Sequence, residues 1–141
     1  MFRTIVVTTD FSANSVVAIK PALAIAEKFG ARIILVHVLE VPSTDQDHPA
    51  KDALRDLAEM SREHLAEFGG KEIGARVPWT PEVATGPAYL AITEVARRYD
   101  ADLIVVATHG RTGVLHLLLG SVAERVVRTA TCPVLTVRVP S

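Results

Sequence analysis

The 141-residue sequence is poor in cysteine and in aromatic residues: Cys132 is its one cysteine, and aromatic residues make up 5% of it. A single thiol cannot form an intrachain disulfide, and it cannot supply the paired thiolates of a zinc cluster. Disulfide-stabilised secreted folds and cysteine-rich metal folds are therefore excluded.

The chain also lacks a surplus of one charge and a long hydrophobic run. Its 15 basic and 16 acidic residues leave a formal net charge of -1, which gives no chain-wide basic field for nucleic acid or for a membrane surface. The N-terminal MFRTIVVTTDFS turns polar too soon for a signal peptide or a membrane span. We expect neither nucleic acid nor a membrane as partner, and a cytoplasmic location.

The remaining composition is typical of one globular domain. Hydrophobic residues make up 49% and charged residues 22% of the chain, both near globular averages. A length of 141 residues fits the usual size of one domain. We therefore expect a single domain over residues 1–141.

Four apolar runs rich in β-branched residues predict strands. They are Thr4–Val7, Ile33–Leu39, Leu103–Ala107 and Val134–Val139. The first three are nearly continuous rather than alternating, which is typical of parallel strands buried on both faces. A weaker stretch over residues 75–83 contains Pro78 and Pro81, and it predicts an edge strand or an irregular one.

Helical periodicity appears between these runs. In the first such segment, Val16 to Ala26 recur at helical spacing and Gly30 follows as a terminator, while Pro21 predicts a kink or a late start. The other three helices are predicted over residues 51–68 with Gly69-Gly70 as the stop, from Pro87 onward, and over residues 121–131. Strands that alternate with helices predict an α/β fold, with a parallel sheet covered on both faces.

Polar residues follow two of the predicted strands: Thr4–Val7, and Leu103–Ala107, which is the fourth strand once the weaker stretch over residues 75–83 is counted. In such a sheet, ligands bind beyond the carboxyl ends of the strands, where the strand order reverses. Asp10, after the first strand, either caps the next helix or provides a carboxylate for a ribose hydroxyl or a metal-bound water; the two roles are compatible.

The segment after the fourth strand combines glycines, an arginine and a helix start. Gly110 and Gly113 permit close backbone approach, and Arg111 suits phosphate oxygens. Ser121 and Glu124 form a capping box, yet a helix start preceded by Gly120 is also an anion site. The segment is therefore either a phosphate cradle or a loop whose glycines only turn the chain. The P-loop and the ordinary dinucleotide fingerprint are absent.

The sequence also predicts the environments of three further side chains. His37, inside an apolar strand, is expected to be a packed core histidine, and His64 to be solvated. Trp79 lies between prolines and is either a surface contact or a lid over a groove.

The whole chain resembles the universal stress protein family. The resemblance rests on IVVTTDFS, LVHV, GPAYLAITEVA and DLIVVATHGRTGVLHLLLGSVAERVVRTATCPVLTV. It implies a five-stranded, Rossmann-like α/β fold with strand order 3-2-1-4-5 and a homodimer paired through the last strand. The ATP-binding branch of that family carries G-x2-G-x9-G-[ST], which Gly110, Gly120 and Ser121 match.

One position departs from that motif, because Ala107 stands at its first glycine. If this position needs a positive φ, alanine is disfavoured there. If it is an ordinary strand end, alanine costs only one methyl of room beside a nucleotide.

The resemblance implies ATP and Mg²⁺ as ligands, with Mg²⁺ bridging phosphate oxygens and waters. Asp10 would lie near the ribose or the metal. The other implied contacts are Thr8, Thr9 and Val38 at the adenine, Ala107, His109, Gly110 and Arg111 along the ribose and phosphates, and Gly120, Ser121 and Val122 at the phosphates.

The last strand bears on assembly. Val134, Leu135 and Val137 make it apolar, and an unpaired edge there would invite an identical strand from a second copy. The alternative is an edge covered by the tail of its own chain.

Together these features predict a nucleotide-dependent regulatory protein of the stress response, a weak ATPase at most because no base is evidently placed to activate water. A further, unspecified protein partner is expected. The alternatives are a dimeric scaffold of the same fold without nucleotide, and an enzyme that cleaves ATP or transfers a group from it.

Overall fold

The computed structural model describes residues 1–40, 48–108 and 121–139, and it describes residues 48–50 by their backbone only. Strands and helices alternate along these ranges. They are β1 (Thr4–Thr8), α1 (Ala13–Phe29), β2 (Arg32–Leu39), α2 (His48–Glu72), β3 (Trp79–Thr85), α3 (Ala88–Arg98), β4 (Leu103–Thr108), α4 (Ser121–Thr129) and β5 (Val134–Arg138). The predicted α/β class is confirmed.

The strands form one sheet in the order β3-β2-β1-β4-β5, and every neighbouring pair is parallel. This confirms the strand order that the resemblance implied. The chain moves from β1 out to β3 and then returns to the other side of β1, so the strand order reverses between β1 and β4. The carboxyl ends of these two strands therefore flank the crevice where such sheets bind ligands.

The core has two halves, one on each face of the sheet. Successive side chains of a strand point to opposite faces, so Ile5 and Val7 pack with α1 and α2, whereas Val6 packs with α3 and α4. Because both faces are covered, the central positions of the inner strands β1, β2 and β4 are apolar. This explains the continuous rather than alternating runs in the sequence.

Helix α1 begins at Ala13, directly after the Ser12 cap, so of the two alternatives predicted from Pro21 the late start is wrong. The Ser12 side chain accepts a hydrogen bond from the Ser15 N–H, and Gly30 ends the helix in the left-handed conformation. Pro21 lies inside the helix. Buried Ile19 and Leu23 anchor the turns on either side of it, and this packing offsets the missing backbone hydrogen bond.

Helix α2 continues through Gly69 and Gly70 to Glu72, so the predicted stop at the two glycines is wrong. Leu65 and Ile73 are buried on either side of the pair and hold this part of the chain against the core. The positive φ that usually ends a helix comes later, at Gly74.

Strand β3 lies at the sheet edge, as its prolines predicted, but it begins at Trp79 rather than near residue 75. The C=O of Pro78 accepts from the Ile33 N–H at 2.9 Å, and the Gly86 N–H donates to the Leu39 C=O at 3.1 Å. Even-numbered residues of this segment thus bond to β2, which places the backbone nitrogen of Pro81 on the outer side. Its missing N–H leaves no gap in the sheet there.

Candidate functional site

A cleft of about 420 Å³ opens at the carboxyl ends of β1, β2 and β4. This volume lies within the range of roughly 300–1,000 Å³ that is usual for small-molecule sites. Its described lining consists of Thr8, Thr9, Asp10, Ser15, Val36, His37, Val38, Glu40, Ala88, Ile92, Val106, Ala107, Val122 and Ala123. Apolar walls with a few polar groups at one end are the composition expected of such a site.

The structure brings many of the predicted site residues together. Those that line the cleft are Thr8, Thr9, Asp10, Val38, Ala107 and Val122. Ser121 lines an adjoining pocket of about 300 Å³, which shares Glu40, Ala88 and Val122 with the cleft. The predicted residues His109, Gly110, Arg111 and Gly120 lie outside the described residues.

Several lining residues were not predicted. They are Ser15, Val36, His37, Glu40, Ala88, Ile92, Val106 and Ala123. Glu40 could have been found, because it directly follows β2 just as Asp10 closely follows β1. His37, expected in the core, is instead half-buried in the cleft wall. The apolar members come from α3, α4 and strand interiors, whose approach to the cleft depends on tertiary packing.

Buried Thr9 organises the turn between β1 and α1. Its N–H donates to the Val36 C=O at 2.8 Å, and its Oγ1 lies 2.7 Å from the Ser15 Oγ. The same Oγ1 accepts from the Phe11 N–H at 3.0 Å. The Thr9 C=O lies 2.9 Å from His37 Nδ1, and because a carbonyl only accepts, Nδ1 is the donor. Hydrogen bonds therefore hold both the main chain and the side chain of Thr9 in place.

Asp10 lies at the rim of the cleft and is exposed. Its Oδ1 accepts from the Ser12 N–H at 2.9 Å and also from the Ser12 hydroxyl. Ser12 in turn caps α1. Ser12, rather than Asp10, is therefore the helix cap. Asp10 supports this cap from two residues further back, while its carboxylate lines the cleft.

Ala107 is an ordinary strand residue. It belongs to β4 and stands opposite Val137 of β5 in the parallel register. In the described ranges, the non-glycine residues with a positive φ are Phe11 and Asp100, so Ala107 needs no glycine-like conformation. Of the two possibilities for this position, the structure selects the second: alanine adds a methyl group to the cleft wall without backbone strain.

The described charged side chains differ between the two pockets, although Glu40 lines both. Asp10 and Glu40 make the described rim of the main cleft acidic. Arg125 lines the adjoining pocket with its guanidinium carbon 5.2 Å from the centre of the Tyr89 ring. Within residues 1–40, 48–108 and 121–139, no group of three or more His, Cys, Asp or Glu side chains could hold a metal ion.

The sequence model of the Universal stress protein family matches residues 1–138 of the chain. The chain belongs to the universal stress protein family. A universal stress protein of Methanocaldococcus jannaschii is 37% identical over 144 residues, an alignment that covers 99% of this chain and 84% of the relative.

Solved structures agree with this assignment. A second Methanocaldococcus jannaschii universal stress protein superposes with a TM-score of 0.78 at 25% identity, covering 100% of this chain and 99% of the other. A universal stress protein solved in complex with cAMP superposes with a TM-score of 0.70 at 27% identity and covers 99% of both chains. In the described part of this universal stress protein, no helix is long and apolar enough to cross a membrane.

Proposed function

We propose that this universal stress protein binds an adenine nucleotide, ATP with Mg²⁺, and acts as a nucleotide-dependent regulatory protein of the stress response. The observation that carries the proposal is the cleft of about 420 Å³ at the point of strand reversal, with apolar walls and polar groups from the β1–α1 turn. A family member of the same fold and 27% identity was solved with cAMP, which supports the adenine nucleotide class.

The chemistry of the lining supports one orientation of the nucleotide in the cleft. The base packs against Val38, Ile92 and Val106, because these side chains form the apolar wall. The ribose hydroxyls donate to the carboxylate of Asp10. The phosphates extend toward the N-terminus of α4 at Ser121, because the backbone N–H groups of a helix start favour anions and Arg125 lines the adjoining pocket there.

The motif residues outside the described ranges complete the proposed site: His109, Gly110 and Arg111 along the phosphates, and Gly120 before α4. Mg²⁺ would be held mainly by phosphate oxygens and waters, and the Asp10 carboxylate can accept hydrogen bonds from those waters. The ion supplies charge neutralisation at the phosphates. We expect any hydrolysis of ATP to be slow.

Calorimetric titration of ATP with Mg²⁺ into nucleotide-free protein tests the proposal. We expect saturable binding at micromolar concentration, and weaker binding of GTP, whose base carries different exocyclic groups. Asp10→Asn keeps an acceptor for Ser12 but removes the charge, and it should weaken ATP binding. Absence of binding at millimolar ATP would refute the proposal.

The second candidate is a dimeric scaffold that binds no nucleotide. The observation in its favour is the methyl group of Ala107, which occupies cleft wall where the ATP-binding motif has glycine. In either case we propose a homodimer through β5, an edge strand with half-buried Val134, Leu135 and Val137. Under the scaffold hypothesis, dimerisation and protein binding persist in protein that shows no heat of nucleotide binding.

A further inference from the structure

Phe11 has an unusual backbone conformation beside the cleft. Its φ is 68°, in the left-handed region that bulky side chains rarely adopt. It directly follows Asp10, whose carboxylate lines the cleft. Such a conformation persists only where surrounding contacts enforce it, and it often marks a functional position.

Two imidazole rings enclose the Phe11 ring. The His64 ring from α2 stacks on it with centroids 3.9 Å apart and an interplanar angle of 17°. The His37 ring from β2 lies 4.3 Å away at 33°. Two rings whose centroids lie within 4.3 Å of the Phe11 centroid cannot share one face of it, so the phenyl ring lies between the stacked His64 ring and the tilted His37 ring. Phe68 of α2 adds an edge contact at 5.6 Å. We call His64, Phe11 and His37 the three-ring stack.

The inner end of the three-ring stack is tied to the cleft. His37 donates from Nδ1 to the Thr9 C=O, and the Phe11 N–H donates to Thr9 Oγ1. Asp10 lies between Thr9 and Phe11 in the chain, and both neighbours are anchored by these bonds. The direction of the Asp10 side chain therefore depends on both of them. The outer end is His64, which is exposed and does not belong to the described cleft lining.

We propose that His64 is a positioning residue for the ligand cleft: by stacking on Phe11 it holds the left-handed turn that directs the Asp10 carboxylate to the ligand. The ligand part of this inference rests on the proposed nucleotide function. The positioning part does not, because it concerns the turn itself. Helix α2 thereby controls the site without contributing an atom to it.

The first test needs no ligand. In hydrogen exchange of the free protein, His64→Ala should lower the protection of the Phe11 and Ser12 amides at least about tenfold, since these N–H groups bond to Thr9 Oγ1 and Asp10 Oδ1. His64→Phe retains a stacking ring and should restore protection. Met60→Ala, at a 67% exposed position of the same helix, is the matched control and should change nothing. Unchanged protection at both amides in His64→Ala would overturn the inference.

The second test is nucleotide affinity of the same variants by calorimetry. We expect His64→Ala to bind ATP with Mg²⁺ about 3- to 10-fold more weakly, His64→Phe to bind within twofold of the parent, and Met60→Ala to match it. If the parent and His64→Ala bind ATP equally well, His64 does not position the cleft for the ligand. A parent that does not bind at all refutes the proposed function, and the exchange experiment then decides the positioning role by itself.

Discussion

Trp79 lies so close to Gly69 that the glycine has no room for a side chain. A Cβ built on Gly69 would be 2.4 Å from both Cζ3 and Cη2 of the indole. The indole is fixed there, because its Nε1–H donates to the Gly74 C=O at 3.1 Å and its ring packs against the core beneath α1 and α2. Trp79 is thus neither a free surface contact nor a lid, the two roles the sequence left open.

This contact predicts opposite effects of one substitution at two adjacent glycines. Gly69→Ala and Gly70→Ala both gain about 1 kcal/mol of helix propensity. Only Gly69→Ala meets the indole, since nothing lies within 4 Å of a Cβ at Gly70. We expect Gly70→Ala to be stabilised and Gly69→Ala to be less stable than Gly70→Ala by about 1–3 kcal/mol, the usual cost of overpacking.

Urea unfolding of the two variants measures this difference, and Trp79→Phe in the Gly69→Ala background should reduce it. Equal stability of the two alanine variants would show that the indole moves aside freely.

Asp102 should make the free energy of unfolding depend on pH in the acidic range. The N–H groups of Arg3 and Thr4 donate to its Oδ2 at 2.8 and 3.0 Å, and these bonds hold the pKa of the carboxyl below its ordinary value. A lowered pKa in the folded state gives stability that is present above about pH 4 and is lost as the pH falls through the folded value.

Asp102→Asn should therefore be less stable than the parent by about 1 kcal/mol at neutral pH, and the two should converge in acid. Urea unfolding at a series of pH values is the measurement, with Glu94→Gln on the exposed face of α3 as the control. A stability difference between Asp102→Asn and the parent that stays constant down to about pH 2 would contradict the lowered pKa of Asp102.

The open edge of β5 predicts which backbone group a partner strand uses. The Ile104 N–H donates to the Pro133 C=O and the Val139 N–H to the Thr108 C=O, so odd-numbered residues of this segment bond to β4. The N–H of Thr136 consequently faces outward. Thr136→Pro removes this donor without removing one from the sheet, and it should convert the proposed dimer to monomer.

Sedimentation velocity distinguishes the two states. Thr136→Val keeps the N–H and should remain dimeric. If Thr136→Pro sediments as the parent does, pairing through this edge is wrong.

ATP binding should tolerate a smaller residue at position 107 but not a larger one. Ala107→Gly widens the cleft wall at an unstrained strand position, so ATP affinity should change less than threefold, while stability falls by about 0.5–1 kcal/mol. Ala107→Leu should weaken ATP binding more than tenfold, because the larger side chain projects into the lining. Calorimetry beside thermal unfolding separates the two effects. A large gain in affinity for Ala107→Gly would mean that the methyl obstructs the ligand.

The strands were predictable because burial on both faces leaves a direct trace in sequence, as the runs around Ile5 and Ile104 show. Helix α2 was not fully predictable. Glycine pairs such as Gly69-Gly70 usually end a helix, but Gly69 is instead the residue against which Trp79 packs, and Trp79 comes later in the chain. A local sequence pattern cannot predict a contact between residues of two different elements.

The candidate site was predictable where polar residues follow strands, as at Thr9 and Asp10. It was missed where a residue reaches the cleft from a helix or from the middle of a strand, as Ile92 and His37 do. His64 was expected to be merely solvated. It is exposed, yet its ring stacks on Phe11, and no feature of the sequence connects α2 with the β1–α1 turn at that position.

The outward-facing nitrogen of Pro81 has a consequence for how copies of this chain could accumulate. The two rims of the sheet are unequal: β5 offers the Thr136 N–H, whereas β3 presents a proline that has none to offer. Head-to-tail addition would require the β5 rim of one copy to join the β3 rim of the next, and the proline opposes that register. In the proposed homodimer two β5 rims would instead satisfy each other, so strand pairing would end after two copies and would not extend into a fibre, even at high protein concentration.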